Sequence, residues 1–184
     1  MVEKLWRAGV LALLVGVIAV AAPRVAWSAS AQELAREGAA AVKTLRQRNL
    51  VAEKLAPSAK AILVFPNILK AGFLFGGQIG EGVLFKAKSK SYYNSVAASY
   101  GLQAGIQGFG YALFFMDDES LRDFESSAGF EIGVGPSIVV VDEGFGKSLT
   151  TTTVRSGIYA FIFDQKGLMA GIGLQGSKIT RITK

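Results

Sequence analysis

Histidine and cysteine are both absent from this 184-residue chain. Without histidine there is no imidazole base, and Ser–His–Asp catalysis is excluded. Without cysteine there is no thiol nucleophile and no disulfide, and nearly every transition-metal site loses its usual ligands. An N-terminal lipid-modified cysteine is excluded too, so the chain is not a lipoprotein. Carboxylates remain, but Asp117, Asp118, Glu119 and Asp123 fall where a helix begins, and a structural role suffices for them. Asp142 and Glu143 close a strand with no partner in view. Gly144-Phe145-Gly146-Lys147-Ser148 resembles the tail of a phosphate-binding loop, yet Val141 stands where its first glycine is needed and a Thr-rich strand pattern follows. We therefore expect no catalytic residues, no metal, no cofactor and no nucleotide.

The N-terminus holds Lys4 and Arg7, then the uncharged apolar run Ala8–Ala22, then Pro23, Arg24 and the small residues Ser28-Ala29-Ser30-Ala31. This is the anatomy of a secretory signal peptide. Fifteen residues of helix span about 22 Å, short of a hydrocarbon core of about 30 Å. The expected division is a signal peptide over 1–31 and a single domain over 32–184, with an uncleaved anchor as the alternative. The exported protein would be periplasmic or secreted and peripheral to a membrane. Residues 32–100 carry ten Lys and Arg against four acids, while 101–184 carry seven against nine. A basic first half favours anions. Nucleic acid fits poorly, because the bases are not interleaved with stacking aromatics; an anionic membrane surface fits better.

Within the domain, Leu34, Ala41, Val42 and Leu45 recur at helical spacing from Gln32, with a break near Arg48-Asn49 and a short second turn stopped by Pro57. This helix either packs on the domain or lays its apolar face in a bilayer. Gly38 within it marks close packing. Strand periodicity begins at Ala61, with Pro66-Asn67 reading as a break, strands over Lys70–Gly77 and Val83–Lys86, and a glycine-rich loop between them. Lys86, Lys88 and Lys90 alternate, which on an extended chain aligns three ammonium groups on one face. Tyr92–Phe109 reads as two small-residue strands broken near Gly101. Tyr111–Met116 is apolar on both faces, and a short helix follows to about Ser126 with Asp as N-cap. Strands recur over 130–142, 148–164 and 168–174, the last two joined by the hairpin loop Asp164–Gly167, and a basic tail Lys178–Lys184 closes the chain. Strands apolar on both faces need a second covering layer, or a surface that meets lipid or ligand. Glycines spread through strands point to bends. The expected fold is α+β: a strongly curled, mostly antiparallel, glycine-rich β-sheet or partly closed barrel, with an N-terminal amphipathic helix and one short internal helix.

The block Ala59–Phe85 carries Ala59-Lys60, Ile62, Phe65-Pro66, Lys70-Ala71-Gly72-Phe73, Gly76-Gly77, Gly80 and Gly82-Val83-Leu84. Further along stand Gly101-Leu102-Gln103-Ala104-Gly105, Gly133-Val134-Gly135-Pro136, Ile158-Tyr159 and Gly167–Gly176. In that order and spacing they resemble the SYLF family of lipid-binding domains over nearly the whole mature chain. The resemblance implies a lipid-binding domain, related to eukaryotic members associated with phosphoinositides and fungal ones associated with actin. With a signal peptide and no SH3 or FYVE module, the chain resembles a bacterial exported form, for which general anionic-phospholipid binding is the implied activity.

Two functional readings follow. In the first, the chain contacts anionic phospholipid or another amphiphile through Lys60 and Lys70 in the signature, Arg36, Lys43, Arg46, Arg48 and Lys54 on the helical segment, and the row Lys86, Lys88 and Lys90. Pro66, Gly72, Phe73, Gly76, Gly77, Gly80 and Gly82 then shape the sheet rather than touch ligand. In the second, the chain is a non-catalytic structural or protein-interaction factor of the envelope, with the glycine-rich loops and basic tail as partner surfaces.

Overall fold

The computed structural model describes residues 29–132, 138–141, 157–167 and 176–184. The signal-peptide reading, apart from Ala29–Ala31, falls outside these residues. So do Asp142 and Glu143, the phosphate-loop look-alike at 144–148, the motif Gly133–Pro136 and the strand over 168–174.

Helix α1 (Ala31–Arg48) starts where the Ser30 side chain accepts a hydrogen bond from the Glu33 amide at 3.2 Å. It stops at Asn49, which leaves helical geometry and caps α2 (Leu50–Leu55) by accepting from the Val51 and Ala52 amides. A 3₁₀ turn (Ala56–Ser58), with Pro57 inside it, then ends the helical layer.

Two very long strands follow, β1 (Ala61–Lys86) and β2 (Ser89–Phe115), paired antiparallel from Ala61↔Phe115 to Lys86↔Ser89. A straight 26-residue strand would run roughly 85 Å, too long for one small domain, so the strand must bend. Gly80 and Gly82 show how it does so. A Cβ on Gly80 would meet the Asn67 carbonyl oxygen at 2.6 Å, and one on Gly82 the Val64 carbonyl oxygen at 2.7 Å. β1 thus doubles back against itself, and only a residue without a side chain permits that approach.

After β2 come α3 (Asp118–Ser126), β3 (Phe130–Glu131), β4 (Ile138–Val141), β5 (Ile158–Gly167) and β6 (Lys178–Ile182). Asp117 caps α3 by accepting from the Ser120 amide at 2.7 Å. The sheet order is β3-β6-β2-β5-β4, with β1 along β2, and β4 runs parallel to β5. Counting each half of the folded strands, it is an eight-strand curled mixed sheet forming a half-barrel, and the fold is α+β as expected.

The concave face of the sheet packs Leu63, Phe65, Ile68, Leu84, Tyr111, Leu113 and Phe115 against Leu121 and Phe124 of α3. The convex face packs Val64, Val83, Ala112, Phe114, Tyr159 and Phe161 under Leu45 of α1 and Val51, Ala52 and Leu55 of α2. The second layer inferred from two-faced apolar strands is this pair of helices. Gly38 lets α1 sit down on the sheet, since a Cβ there would meet Val83 Cγ1 at 2.5 Å.

Four local expectations need correction. Pro66-Asn67 does not break β1 but sits at a register shift between Phe65 and Ile68, where a missing amide hydrogen is tolerated. Likewise β2 continues through Gly101, and β5 runs to Gly167, so Asp164–Gly167 is strand rather than hairpin loop. Lys86, Lys88 and Lys90 form no one-faced row. A two-residue turn, Ala87-Lys88, with Ala87 at φ 41°, reverses the chain between them, and Lys90 pairs with Phe85 instead.

Candidate functional site

Helix α1 presents two flanks to either side of its buried stripe of Leu34, Ala35, Gly38 and Leu45. On one flank Ala39, Val42, Lys43, Arg46 and Gln47 face the start of β1. Together with Glu53 of α2 and Ile62 and Phe85 of the sheet they enclose a groove of about 490 Å³. Its floor is apolar, from Val42, Ile62 and Phe85, while Lys43 and Arg46 stand at its lip. Lys90 lies opposite Phe85 in the register and so shares the face that bears the groove.

The two basic residues at the lip differ. Arg46 donates to both carboxylate oxygens of Glu53, at 2.9 and 3.2 Å, which ties α1 to α2. That hydrogen bond and the carboxylate charge hold its guanidinium still more firmly protonated. Lys43 and Lys90 are exposed and make no ion pair among the described residues. An alkyl segment on the apolar floor would place an anionic oxygen within reach of Lys43, a geometry suited to an amphiphile.

The remaining expected bases disperse. Arg36 and Lys54 are exposed on α1 and α2, and Lys88 is exposed at the hairpin turn. Arg48 pairs with Asp164 at 3.1 Å, Lys60 with Asp118 at 3.6 Å, and Lys86 with Glu125 at 2.7 Å. The last two therefore lean toward α3, on the other side of the sheet from the groove.

Lys70 is in a different environment again. It is buried, at 6 % exposure, on the concave side opposite Gln107. The register shift at Pro66-Asn67 is the cause. Leu63 and Phe65 point inward before it, Ile68 and Lys70 after it, so the even positions change face. Lys70 cannot meet a head group at the surface from there. Around it the concave wall turns polar: Gln78 donates to Ser177 Oγ at 2.7 Å, and Tyr111 donates to Ser95 Oγ at 2.8 Å. Burial pushes the Tyr111 phenol well above its ordinary value, opposed by the Ser95 hydrogen bond.

Of the signature residues, Pro66 lies at the register shift, Gly72 meets Gly76 at the bend, Phe73 pairs with Ala104, Gly77 pairs with Ala98, and Gly80 and Gly82 make the close approaches already described. Of these, Gly72, Gly80 and Gly82 sit where the backbone comes too close to admit a side chain. Ile62, Phe85, Gln47 and Glu53, which also line the groove, carry no sequence signal for it. Only a helix–sheet docking angle brings them together, and no local pattern encodes it.

Residues 96–184 match the Ysc84 family model, described as Las17-binding protein actin regulator. Among curated proteins, the chain is similar to Protein YSC84 of Saccharomyces cerevisiae (strain ATCC 204508 / S288c). Identity is 28 % over 129 residues, covering 66 % of this chain and 27 % of that protein. It is similar to LAS seventeen-binding protein 3 of Saccharomyces cerevisiae (strain YJM789) at the same identity and length, covering 66 % of this chain and 28 % of that protein. The match thus spans just over a quarter of the length of these relatives. Over residues 96–184 the chain is thus similar to the SYLF family that its ordered glycine motifs resemble.

Proposed function

We propose that this chain is a lipid-binding module of the bacterial cell envelope, exported and peripheral to a membrane, that contacts anionic phospholipid or another amphiphile. The observation that carries the reading is the groove beside α1, with its apolar floor of Val42, Ile62 and Phe85 and its basic lip of Lys43 and Arg46. Exposed Arg36, Lys54, Lys88 and Lys90 add positive charge without an ion-pair partner among the described residues. Each base near an anionic surface contributes about 1 kcal/mol, so the interaction is weak singly, additive over several, and sensitive to salt. No chemistry beyond binding is assigned.

Co-sedimentation of the full chain with vesicles tests this. Retention on phosphatidylglycerol-containing vesicles at low salt, weakened by Lys43→Glu, is expected; equal behaviour on neutral phosphatidylcholine vesicles would refute it.

A protein partner is the second reading, favoured by the relatives. One is named for binding Las17, and the matching family is described as an actin regulator. Pull-down that survives Lys43→Glu and Lys90→Glu, without any retention on vesicles, would favour it.

A further inference from the structure

The convex face of the sheet is not covered throughout. Beyond the reach of α1, Leu69, Ile79, Val96 and Ile106 are exposed by 53, 58, 44 and 66 %. All four point outward. Ile79 and Val96 are direct cross-strand partners, while Ile106 is opposite Ala71, the next outward position after Leu69. The doubling back of β1, with Gly80 against Asn67 and Ile68, brings the segments bearing Leu69 and Ile79 together. Exposed apolar patches rimmed by polar residues mark surfaces that meet a partner or a membrane.

Two observations say what covers it. First, its two sides are cationic. Lys166 pairs with Gly108, which pairs with Leu69, and Lys178 pairs with Val96, so one exposed lysine stands on the outward face at each side. Second, the nearby acids are engaged. Glu81 binds Lys184 at 2.9 Å and Glu37 accepts from Asn67, leaving Glu131, one strand further out beside Lys178, as the exposed carboxylate on that edge.

We infer that the bare convex face of the half-barrel is a bilayer-docking surface, in which Leu69, Ile79, Val96 and Ile106 enter the interfacial region of an anionic membrane while Lys166 and Lys178 meet head groups on either side. The inference rests on the lipid reading above but assigns a face the groove does not include. The groove holds one amphiphile against the helix layer, and the convex patch sets the whole domain on the membrane.

The lack of native cysteine gives a clean test. In the full chain, Ile106→Cys and, separately, Leu50→Cys on α2 are labelled with an environment-sensitive fluorophore and mixed with phosphatidylglycerol–phosphatidylcholine vesicles. A blue shift at position 106, quenched by bilayer-embedded nitroxide lipid and absent at position 50, is the expected result. Lys166→Gln and Lys178→Gln should each weaken partitioning about fivefold, and Ile79→Ser with Ile106→Ser should abolish most of it while thermal unfolding stays unchanged. Retention on vesicles with no shift at position 106 overturns the docking face and leaves lipid binding by the groove standing. Absence of retention overturns both. A shift that grows with protein concentration in the absence of vesicles overturns it in favour of a second copy of the chain.

Discussion

The two halves of the convex face are built from the same strands and the same residue types, yet they end in opposite environments. Val64, Val83, Ala112, Phe114, Tyr159 and Phe161 are fully covered beneath α1 and α2. Leu69, Ile79, Val96 and Ile106, a few residues along β1 and β2, stand about half exposed. Hydrophobic burial accounts for the first set at about 1.5–3 kcal/mol per large side chain. It does not account for the second. Apolar side chains on this sheet face therefore divide into those that hold the fold and those that contribute little to it.

Substitutions sharpen that division. Phe114→Ala removes a ring packed at 4.7 Å from Phe161 in the covered half, and should cost about 3–5 kcal/mol of unfolding free energy, read by denaturant melts. A loss below about 1 kcal/mol would mean that the helices do not seal that half. Gly38→Val comes next. Its Cβ would press on Val83, so despite removing a helix glycine it should lower stability by about 1–3 kcal/mol and loosen α1 first, visible in amide exchange.

Tyr111→Phe probes the concave side and should cost about 1 kcal/mol, because it leaves the buried Ser95 hydroxyl without its donor. Its pH dependence is also defined. Burial raises the folded phenol far above the value of about 10 it takes on unfolding. Its contribution is therefore complete below pH about 10 and declines as pH rises further. The phenylalanine variant should lose part of that alkaline limb. Ile106→Ser, in the bare half, should change stability by no more than about 0.5 kcal/mol. A large loss there would erase the contrast between the halves.

Much of this was legible in the residues. The helix broken at Asn49, the Asp117-capped α3, and a curled sheet with a second layer all follow from period, caps and glycine placement. Lys70 shows what was not. Its face depends on a register shift at Pro66-Asn67, and local pattern marks that dipeptide as an interruption without saying whether the strand resumes. The alternation of Lys86, Lys88 and Lys90 failed similarly, because a two-residue turn without glycine or asparagine, its positive φ borne by Ala87, carries no strong sequence signal. The groove depends on the angle at which α1 docks, which the close approach of Gly38 sets and no periodicity reports. The parallel β4–β5 pairing is likewise a long-range choice.

The central proposal is that this chain binds anionic lipid. It is met most directly by measuring the fraction of full-length chain retained on anionic and on neutral vesicles as salt is raised. Retention on the anionic vesicles alone, falling steeply with ionic strength, is predicted. Retention independent of both lipid charge and salt, or no retention on either, would contradict it.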